Sequence, residues 1–169
     1  TGSALSQSSN IALSDVIISY LQSGATIVNT VTDSNGDFSQ TLVLGTYTLS
    51  YSKSGYLDEI QSATLSDNQT LIVSTLKMLS DNCTSGTISG TIKDAVSNSA
   101  VTGVSLSARR GLNMTSGTVT ATDTTGSTGE YSFSSMSAGW YTVETSISGY
   151  ISSSYHVYAC GDQSEQDAF

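Results

Sequence analysis

Several residue types that mark common functions are scarce in this chain. Its 169 residues include only five Lys and Arg together, one His, two Cys and no Pro. Five basic side chains cannot neutralise many phosphates, so we expect neither a nucleic acid nor an anionic membrane surface as a partner. Without proline, the turns depend on residues that do not fix φ, and we expect them to be less rigid.

Long apolar runs and catalytic signatures are missing as well. No stretch approaches the ~18 apolar residues of a membrane-spanning helix, so membrane insertion is not expected. The motifs GxSxG and HExxH and the P-loop are absent. The single histidine, His156, is expected at an exposed strand position, without the partner that a general base needs. We therefore predict that the protein is not an enzyme.

Serine and threonine are what the chain has in abundance. They make up about a third of its residues, whereas charged residues make up 11% and the net charge is −9. The surface is therefore kept in water largely by hydroxyl groups, which is unusual for a cytoplasmic protein. This composition predicts an extracellular or cell-surface protein. In a glycosylating cell, the sequons at Asn68, Asn82 and Asn113 are candidate acceptor sites on loops.

Hydrophobic residues alternate with a period of two, which indicates strands rather than helices. Turn signals recur about every 8–12 residues, a spacing typical of β-sandwiches. We predict about seven short strands in each half of the chain, packed as two sheets. The pattern places strands at 16–21, 27–32, 38–44, 46–52, 59–66 and 70–78, and at 87–93, 103–108, 118–122, 131–134, 140–146 and 153–159.

The two halves of the chain share a series of motifs. TDSNGDF, GTY and SGY in residues 32–56 correspond to TDTTGSTGEY, GWY and SGY in residues 122–150. Upstream of these motifs, glycine and apolar positions correspond at a constant offset of 88 residues, as in the pair Gly2 and Gly90. Internal self-similarity of this kind indicates repeated structural units. It predicts two tandem modules, at residues 1–80 and 81–169.

These motifs resemble the carboxypeptidase regulatory-like module, which reads G-x-[IV]-x-D, TD-x-x-G-x-[FY], G-x-Y and a final GY. The resemblance covers nearly the whole chain, twice. It implies an all-β chain of two tandem Ig-like or prealbumin-like antiparallel β-sandwiches, a fold also called transthyretin-like. Modules of this family are mostly non-catalytic parts of secreted or surface proteins, and the resemblance implies the same here.

The two copies differ at their edges. The second copy carries extra residues around 109–118 and 124–128, where we expect loops. The first copy begins at Gly2 with less sequence ahead of it, and the second stops at Phe169 before the counterpart of Leu76. The chain has neither an initiator methionine nor a signal peptide. We expect a mature or excised piece, cut from a longer array or completed by neighbouring subunits.

The two cysteines both fall in the second copy. Cys83 precedes its first strand and Cys160 ends a late strand. Two lone thiols cannot form a structural zinc site. An intramolecular disulfide that ties these two strands together is favoured. The alternatives are two free thiols or a bridge to a neighbouring subunit.

A calcium ion is the only cofactor that the sequence suggests. Asp33, Asn35 and Asp37 have the spacing of the first half of a calcium-binding loop. The bidentate glutamate that would complete such a loop is missing, because Leu44 occupies its position. A hairpin turn rich in Asn, Asp and Gly explains the same residues, so both interpretations stay open.

Trp140 is the candidate for ligand contact. It alternates with the expected core residues Tyr141 and Val143, and should therefore face outward. An outward tryptophan can stack on a sugar or pack at a protein interface, or it is simply covered by a loop. Tyr158 would join Trp140 only if their strands are neighbours.

The repeat, the hydroxyl-rich surface and the missing catalytic set favour a structural role. We predict a non-catalytic structural module of an extracellular or cell-surface protein, in a stalk of repeats or as a filament subunit. Its partners would be copies of itself or other modules of a longer chain, and in a filament a neighbouring strand would fill an open sheet edge. The alternatives are a carbohydrate-binding or adhesion module, with glycans as ligands, and an accessory domain of a secreted enzyme.

Overall fold

The computed structural model of the chain describes residues 1–68, 70–161 and 163–164. The chain divides into two compact units, Thr1–Asn82 and Cys83–Phe169, called unit 1 and unit 2 below. Within the described residues there are strands and no helix, and so no helix that could cross a membrane. The all-β class predicted from the alternating pattern is confirmed.

Unit 1 consists of a four-stranded and a three-stranded sheet. The four-stranded sheet is antiparallel with the order β3-β2-β5-β6, and the other has the order β4-β1-β7. In the second sheet β1 is antiparallel to β4 but parallel to β7, a pairing that the sequence did not indicate. The strands are β1 (Gly2–Ser6), β2 (Ile17–Gln22), β3 (Ala25–Val31), β4 (Asp37–Phe38), β5 (Gly45–Ser52), β6 (Glu59–Leu65) and β7 (Leu76–Met78).

Unit 2 repeats this arrangement. Its sheets have the orders β10-β9-β12-β13 and β11-β8-β14, again with one parallel pair, between β8 and β14. The two units therefore have the same strand order. The strands are β8 (Gly86–Thr91), β9 (Ser105–Arg110), β10 (Ala121–Thr124), β11 (Glu130–Met136), β12 (Gly139–Ser146), β13 (Ser153–Ala159) and β14 (Gln163–Ser164).

The core of unit 1 lies between its two sheets. Alternate residues of β2 and β5 point inward, and Tyr20, Leu49 and Tyr51 are buried there. From the facing sheet, Phe38 packs edge-on against Tyr51 with 5.9 Å between the ring centroids. The Tyr51 hydroxyl donates a hydrogen bond to Oε1 of the buried Gln61 at 2.8 Å. Burial raises the pKa of Tyr51 and raises the pKa of Tyr20 to about 12, so both remain neutral phenols.

The core of unit 2 is built in the same way. Tyr141 and Val143 of β12 face Ile88 of β8 and Phe133 of β11, and all four are buried. The alternation that buries Tyr141 and Val143 turns their neighbour Trp140 to the opposite face of the sheet. The fold thus places the side chains of the candidate site outside the core.

A buried threonine fixes the same corner in both units. In unit 1, Oγ1 of Thr32 donates a hydrogen bond to the Leu13 carbonyl at 2.5 Å and accepts one from the Val16 N–H at 3.0 Å. In unit 2, Thr125 makes the equivalent pair of bonds at 2.7 and 2.9 Å. Buried backbone groups need partners, and a single hydroxyl here satisfies one donor and one acceptor.

A tyrosine closes the turn before β5 and β12. The Tyr47 hydroxyl donates to the carbonyl oxygen of Val43 at 2.9 Å, and the Tyr141 hydroxyl donates to that of Ser137 at 2.8 Å. Each bond joins a strand residue to the backbone four positions earlier. These bonds hold the connecting segment against the end of the strand that follows it.

Two of the strands predicted in unit 1 are much shorter than the pattern indicated. The apolar segment 38–44 contributes only Phe38 to β4, and the segment 70–78 contributes only Leu76–Met78. In unit 2 the counterpart of the first segment, β11, continues as far as Met136 because β8 lies beside it from Gly86 onward. In unit 1 the ladder between β1 and β4 consists of the pairs Gly2 with Phe38 and Ser3 with Asp37, and a strand needs a hydrogen-bonding neighbour.

Candidate functional site

An aromatic pair lies on the outer face of the four-stranded sheet of unit 2. Trp140 of β12 is directly opposite Tyr158 of β13 in the antiparallel ladder. Their ring centroids are 5.0 Å apart and the rings are tilted by 59°. Both side chains are partly exposed. The sequence predicted that Tyr158 would join Trp140 only if their strands were neighbours. In the structure these two strands are neighbours.

The loop between β9 and β10 folds back over this face. Oγ1 of Thr142, on β12 between Trp140 and Glu144, donates to the Gly111 carbonyl at 2.8 Å and accepts from the Met114 N–H at 3.0 Å. Although Thr142 points away from the core, it is only 1% exposed. The extra residues that the sequence placed around 109–118 therefore form a cover, called the covering loop below.

The covering loop is also attached to the single histidine. The backbone N–H of Asn113 donates to Nε2 of His156 at 3.2 Å, and His156 lies opposite Thr142 on β13. Burial lowers the pKa of His156, so the neutral imidazole that accepts this bond is favoured near neutral pH. The expectation of an exposed strand histidine missed this role, because the loop comes from a distant part of the chain.

An ion pair lies further along the same face. Arg109 of β9 pairs with Glu144 of β12, and both side chains are partly exposed. The sequence did not predict this ion pair. The two residues are 35 positions apart and lie on two strands that are adjacent in the sheet. One feature of the sequence could have suggested the pair. Both residues alternate with core residues, so both point outward from strands that the repeat places in one sheet.

The outer face of this sheet carries groups suited to noncovalent contacts. It offers two aromatic rings, a charged pair and several hydroxyl groups, while Nε2 of the histidine is occupied by a backbone N–H. Aromatic rings beside polar groups suit a sugar or a protein surface. In the described part of the chain, no three His, Cys, Asp or Glu side chains are grouped in a way that could hold a metal ion.

Cys83 and Cys160 form a disulfide, with 4.6 Å between their Cα atoms. It joins the segment before β8 to the end of β13. A backbone hydrogen bond from the Gly161 N–H to the Thr84 carbonyl, at 3.0 Å, lies beside it. The first and last long strands of unit 2 are therefore held together both covalently and through the backbone.

The Asp33–Asp37 segment forms a tight turn before β4. Oδ1 of Asp33 accepts hydrogen bonds from the N–H groups of Asn35 at 2.8 Å and Asp37 at 3.0 Å. This is the local bonding that makes aspartate a turn residue. Calcium binding by Asp33, Asn35 and Asp37 stays a prediction, and the turn accounts for these residues without it.

The three sequon asparagines are all exposed. Asn68 follows β6, Asn82 directly precedes the disulfide cysteine, and Asn113 lies in the covering loop. Exposure is necessary for modification and does not establish it. Glycosylation at these three positions stays a prediction.

The family comparison finds a match to one of the two units. Residues 87–168 match the family model of the carboxypeptidase regulatory-like domain. This range lies within unit 2, so the resemblance noted in the sequence is confirmed for this unit alone. A search of curated protein sequences finds no match.

Several solved structures share the general fold at low identity. The Bacillus anthracis TIE protein is 16% identical with a TM-score of 0.42, and the match covers 99% of this chain and 32% of that one. The Streptococcal ancillary pilin is 16% identical with a TM-score of 0.36, covering 98% and 62%. The shaft pilin SpaA from Lactobacillus rhamnosus GG is 12% identical with a TM-score of 0.37, covering 96% and 94%. The chain thus spans less than two thirds of the first two proteins, and likenesses this distant carry no functional inference.

Proposed function

We propose that this protein is a non-catalytic structural module of an extracellular or cell-surface protein that associates with other modules of its kind. The observation that carries the proposal is the Cys83–Cys160 disulfide inside unit 2. Disulfides form and persist in oxidising compartments, and small β domains outside the cell commonly rely on them.

Three further observations support this role. The matched family is described as a regulatory-like domain, not as a catalytic one. In addition, the only histidine uses Nε2 to hold the covering loop, so it does not stand ready as a general base. The repeated strand order also suits a protein that is extended by adding units.

Surface labelling of cells that make the protein tests this proposal. Antibodies raised against the purified chain should bind intact cells, and alkylation followed by mass spectrometry should find Cys83 and Cys160 oxidised. Binding only after permeabilisation, together with two free thiols, would overturn an extracellular location. A cytosolic protein on the same cells serves as the permeabilisation control.

Carbohydrate binding is the second candidate, favoured by the Trp140–Tyr158 pair on a partly exposed face. The equivalent place in unit 1 holds Thr46 opposite Thr64, whose hydroxyls lie 3.0 Å apart, so unit 1 should not share the activity. A glycan array probed with the wild-type chain and with Trp140→Ala decides this function. If the pair binds sugar, Trp140→Ala should weaken binding at least about tenfold.

The matched control for the glycan array is Tyr150→Ala, because Tyr150 is an aromatic of the same unit that is 50% exposed and lies outside the strands. It should leave binding unchanged. Equal loss in both variants, or no glycan bound by the wild type, would remove this candidate and leave the structural role untouched.

A further inference from the structure

A groove opens at one end of unit 2, between the turns at 94–97 and 147–151, and is called the apolar groove below. Its volume is about 620 Å³. At its rim, Val96 is 96% exposed and Ile151 is 95% exposed. Branched apolar side chains this exposed, beside a groove that reaches the core, mark an interaction surface. Three buried core residues form the floor of the groove: Ile92, Val101 and Val104.

The apolar groove exists because small side chains replace large ones where β12 and β13 meet the turn between them. In unit 1, Tyr51 and Glu59 lie opposite each other on β5 and β6, and both are fully buried. The corresponding pair in unit 2 is Thr145 and Ser153, and both of these residues line the groove. The volume that two large side chains occupy in unit 1 is therefore left open in unit 2.

Unit 1 buries the matching turn against another segment. Its turn at 53–57 corresponds to the turn at 147–151, since each contains the shared SGY motif. The N–H of Leu57 donates to the carbonyl oxygen of Leu79 at 2.8 Å, and Leu79 is buried. Ile151 takes the place of Leu57 in unit 2. An apolar residue at this position can thus be covered by packing, yet the structure leaves Ile151 open to solvent.

The charged groups at the apolar groove favour a second copy of this chain as its occupant. The net charge of −9 makes two copies repel each other over most of their surfaces. The charged residues that line the groove are Lys93 and Asp94, which together carry no net charge. Oδ1 of Asp94 accepts hydrogen bonds from the N–H groups of Val96 and Ser97, while the Lys93 ammonium group forms no ion pair within the described residues. A patch with one charge of each sign is complementary to itself across a two-fold axis.

We propose that two copies of this chain pair through the apolar groove about a two-fold axis. Ile151 of each copy enters the groove of the other, and Lys93 of each copy pairs with Asp94 of the other. An interface of this kind uses the same patch on both copies, so it closes at a dimer. The inference rests on the proposed function, in which the protein associates with modules of its kind, and names the surface through which two copies are joined.

Sedimentation velocity of the whole chain over a range of concentrations tests the pairing. The expected result is a reversible equilibrium between monomer and dimer. Ile151→Asp should weaken the dimer at least about tenfold, because the interface would bury two unpaired carboxylates. The matched control is Val43→Asp, which adds the same charge at an apolar residue of unit 1 that is 74% exposed, and it should leave the dimer unchanged. A chain that is monomeric at every concentration, or equal weakening by the two variants, would overturn the proposal.

Two substitutions of Lys93 test the proposed ion pairs. Lys93→Gln removes the attraction to Asp94 of the other copy, and Lys93→Glu replaces it with repulsion. The dimer should therefore be strongest in the wild type, weaker in Lys93→Gln and weakest in Lys93→Glu. Added salt should reduce the difference between the two variants, because it screens charges near the surface. Equal dimer affinity in all three proteins would overturn the two-fold pairing.

Hydrogen exchange with mass spectrometry locates the interface in the wild-type chain, so this measurement does not depend on the folding of any variant. Amide exchange in residues 94–97 and 147–151 should slow when the dimer is populated, whereas exchange in the matching turn of unit 1, at 53–57, should not change. Protection confined to 53–57, or assemblies that grow beyond the dimer, would overturn the proposal. None of these results affects the cell-surface test of the proposed function, so the two ideas fail separately.

Discussion

Units 1 and 2 have the same strand order but differ in how their edges are completed. In unit 2, β11 pairs along β8, a disulfide joins the segment before β8 to the end of β13, and a loop covers the outer face. In unit 1 the corresponding strand stops at Phe38, and neither cysteine is present. The strand order is therefore common to the two units, and the differences between them lie in what is added at the edges of the sheets.

Removing the disulfide should have the largest effect, and on unit 2 alone. Cys83→Ser combined with Cys160→Ser opens a loop closed over a sequence separation of 77 residues. The chain-entropy account gives a loss of about 4.5 kcal/mol in the free energy of unfolding. Trp140, the only tryptophan, reports on unit 2 during denaturant unfolding.

Hydrogen exchange of residues 1–82 is the control for the disulfide variant, since unit 1 should keep its protection. Reduction of the wild-type chain should reproduce the variant. Equal losses in both units would show that the units unfold as one, and the contrast between them would be lost.

Substitution of the buried corner threonine should lower the free energy of unfolding by the same amount in both units. Thr32→Val and Thr125→Val preserve the shape of the side chain but leave a buried N–H and a buried carbonyl without their partner. Each change should lower the free energy of unfolding of its own unit by about 2–3 kcal/mol. Exchange protection measured unit by unit checks this, and a cost confined to one unit would contradict the equivalence of the corners.

The tyrosine bonds should show a smaller and also matched effect. Tyr47→Phe and Tyr141→Phe each remove one hydroxyl that donates to a carbonyl four residues earlier. We expect about 1 kcal/mol in each unit, because the ring stays buried and only the bond is lost. Denaturant unfolding of the two variants side by side measures this. A loss much greater in one variant than in the other would contradict the equivalence of the two bonds.

The pH dependence of the covering loop should be the smallest effect and specific to unit 2. Burial holds the pKa of His156 below the ordinary value of 6.5, so the unfolded chain binds the proton more readily. Stability is therefore full above pH 6.5 and falls as the pH drops from 6.5 through the folded-state pKa. The charged groups that lie on the same face are the paired Arg109 and Glu144.

Amide exchange of residues 111–118 at pH 7.0 and 5.5 checks the loop. The exchange rate, corrected for its intrinsic pH dependence, should rise at the lower pH in the wild type and not in His156→Gln. Asp94 does not interfere, because hydrogen bonds from Ser97 and Val96 hold its pKa below 3.8. If the exchange rate also rises at the lower pH in His156→Gln, His156 is not the group that makes the covering loop pH-dependent.

The sequence predicts much of the fold because burial on one face of a strand imposes a period of two. The strands around Tyr47 and Tyr141 follow from local pattern, and Gly45 and Gly139 mark their starts. The segment 38–44 has the same apolar character, yet it is a strand only where it begins. Whether the rest of the segment forms a strand depends on a neighbouring strand from a distant part of the chain. A local sequence pattern does not show that neighbour.

The candidate site was only partly predictable for the same reason. Alternation is enough to turn Trp140 outward, but the register between β12 and β13 decides that Tyr158 lies opposite it. The bond between Asn113 and His156 spans 43 positions and joins a loop to a strand. Long-range pairings of this kind are set by the packing of whole sheets, and a single sequence does not reveal them.

The disulfide also determines how unit 2 would carry a mechanical load. Tension that enters at Cys83 and leaves at Cys160 passes through one covalent bond, so the residues between them bear none of it. A segment of 77 residues, about 260 Å when fully extended, is thereby withheld from stretching. Unit 1 has no such bypass, and a pulled chain would lengthen there first. In a surface appendage, unit 1 would absorb a sudden force and unit 2 would hold its shape.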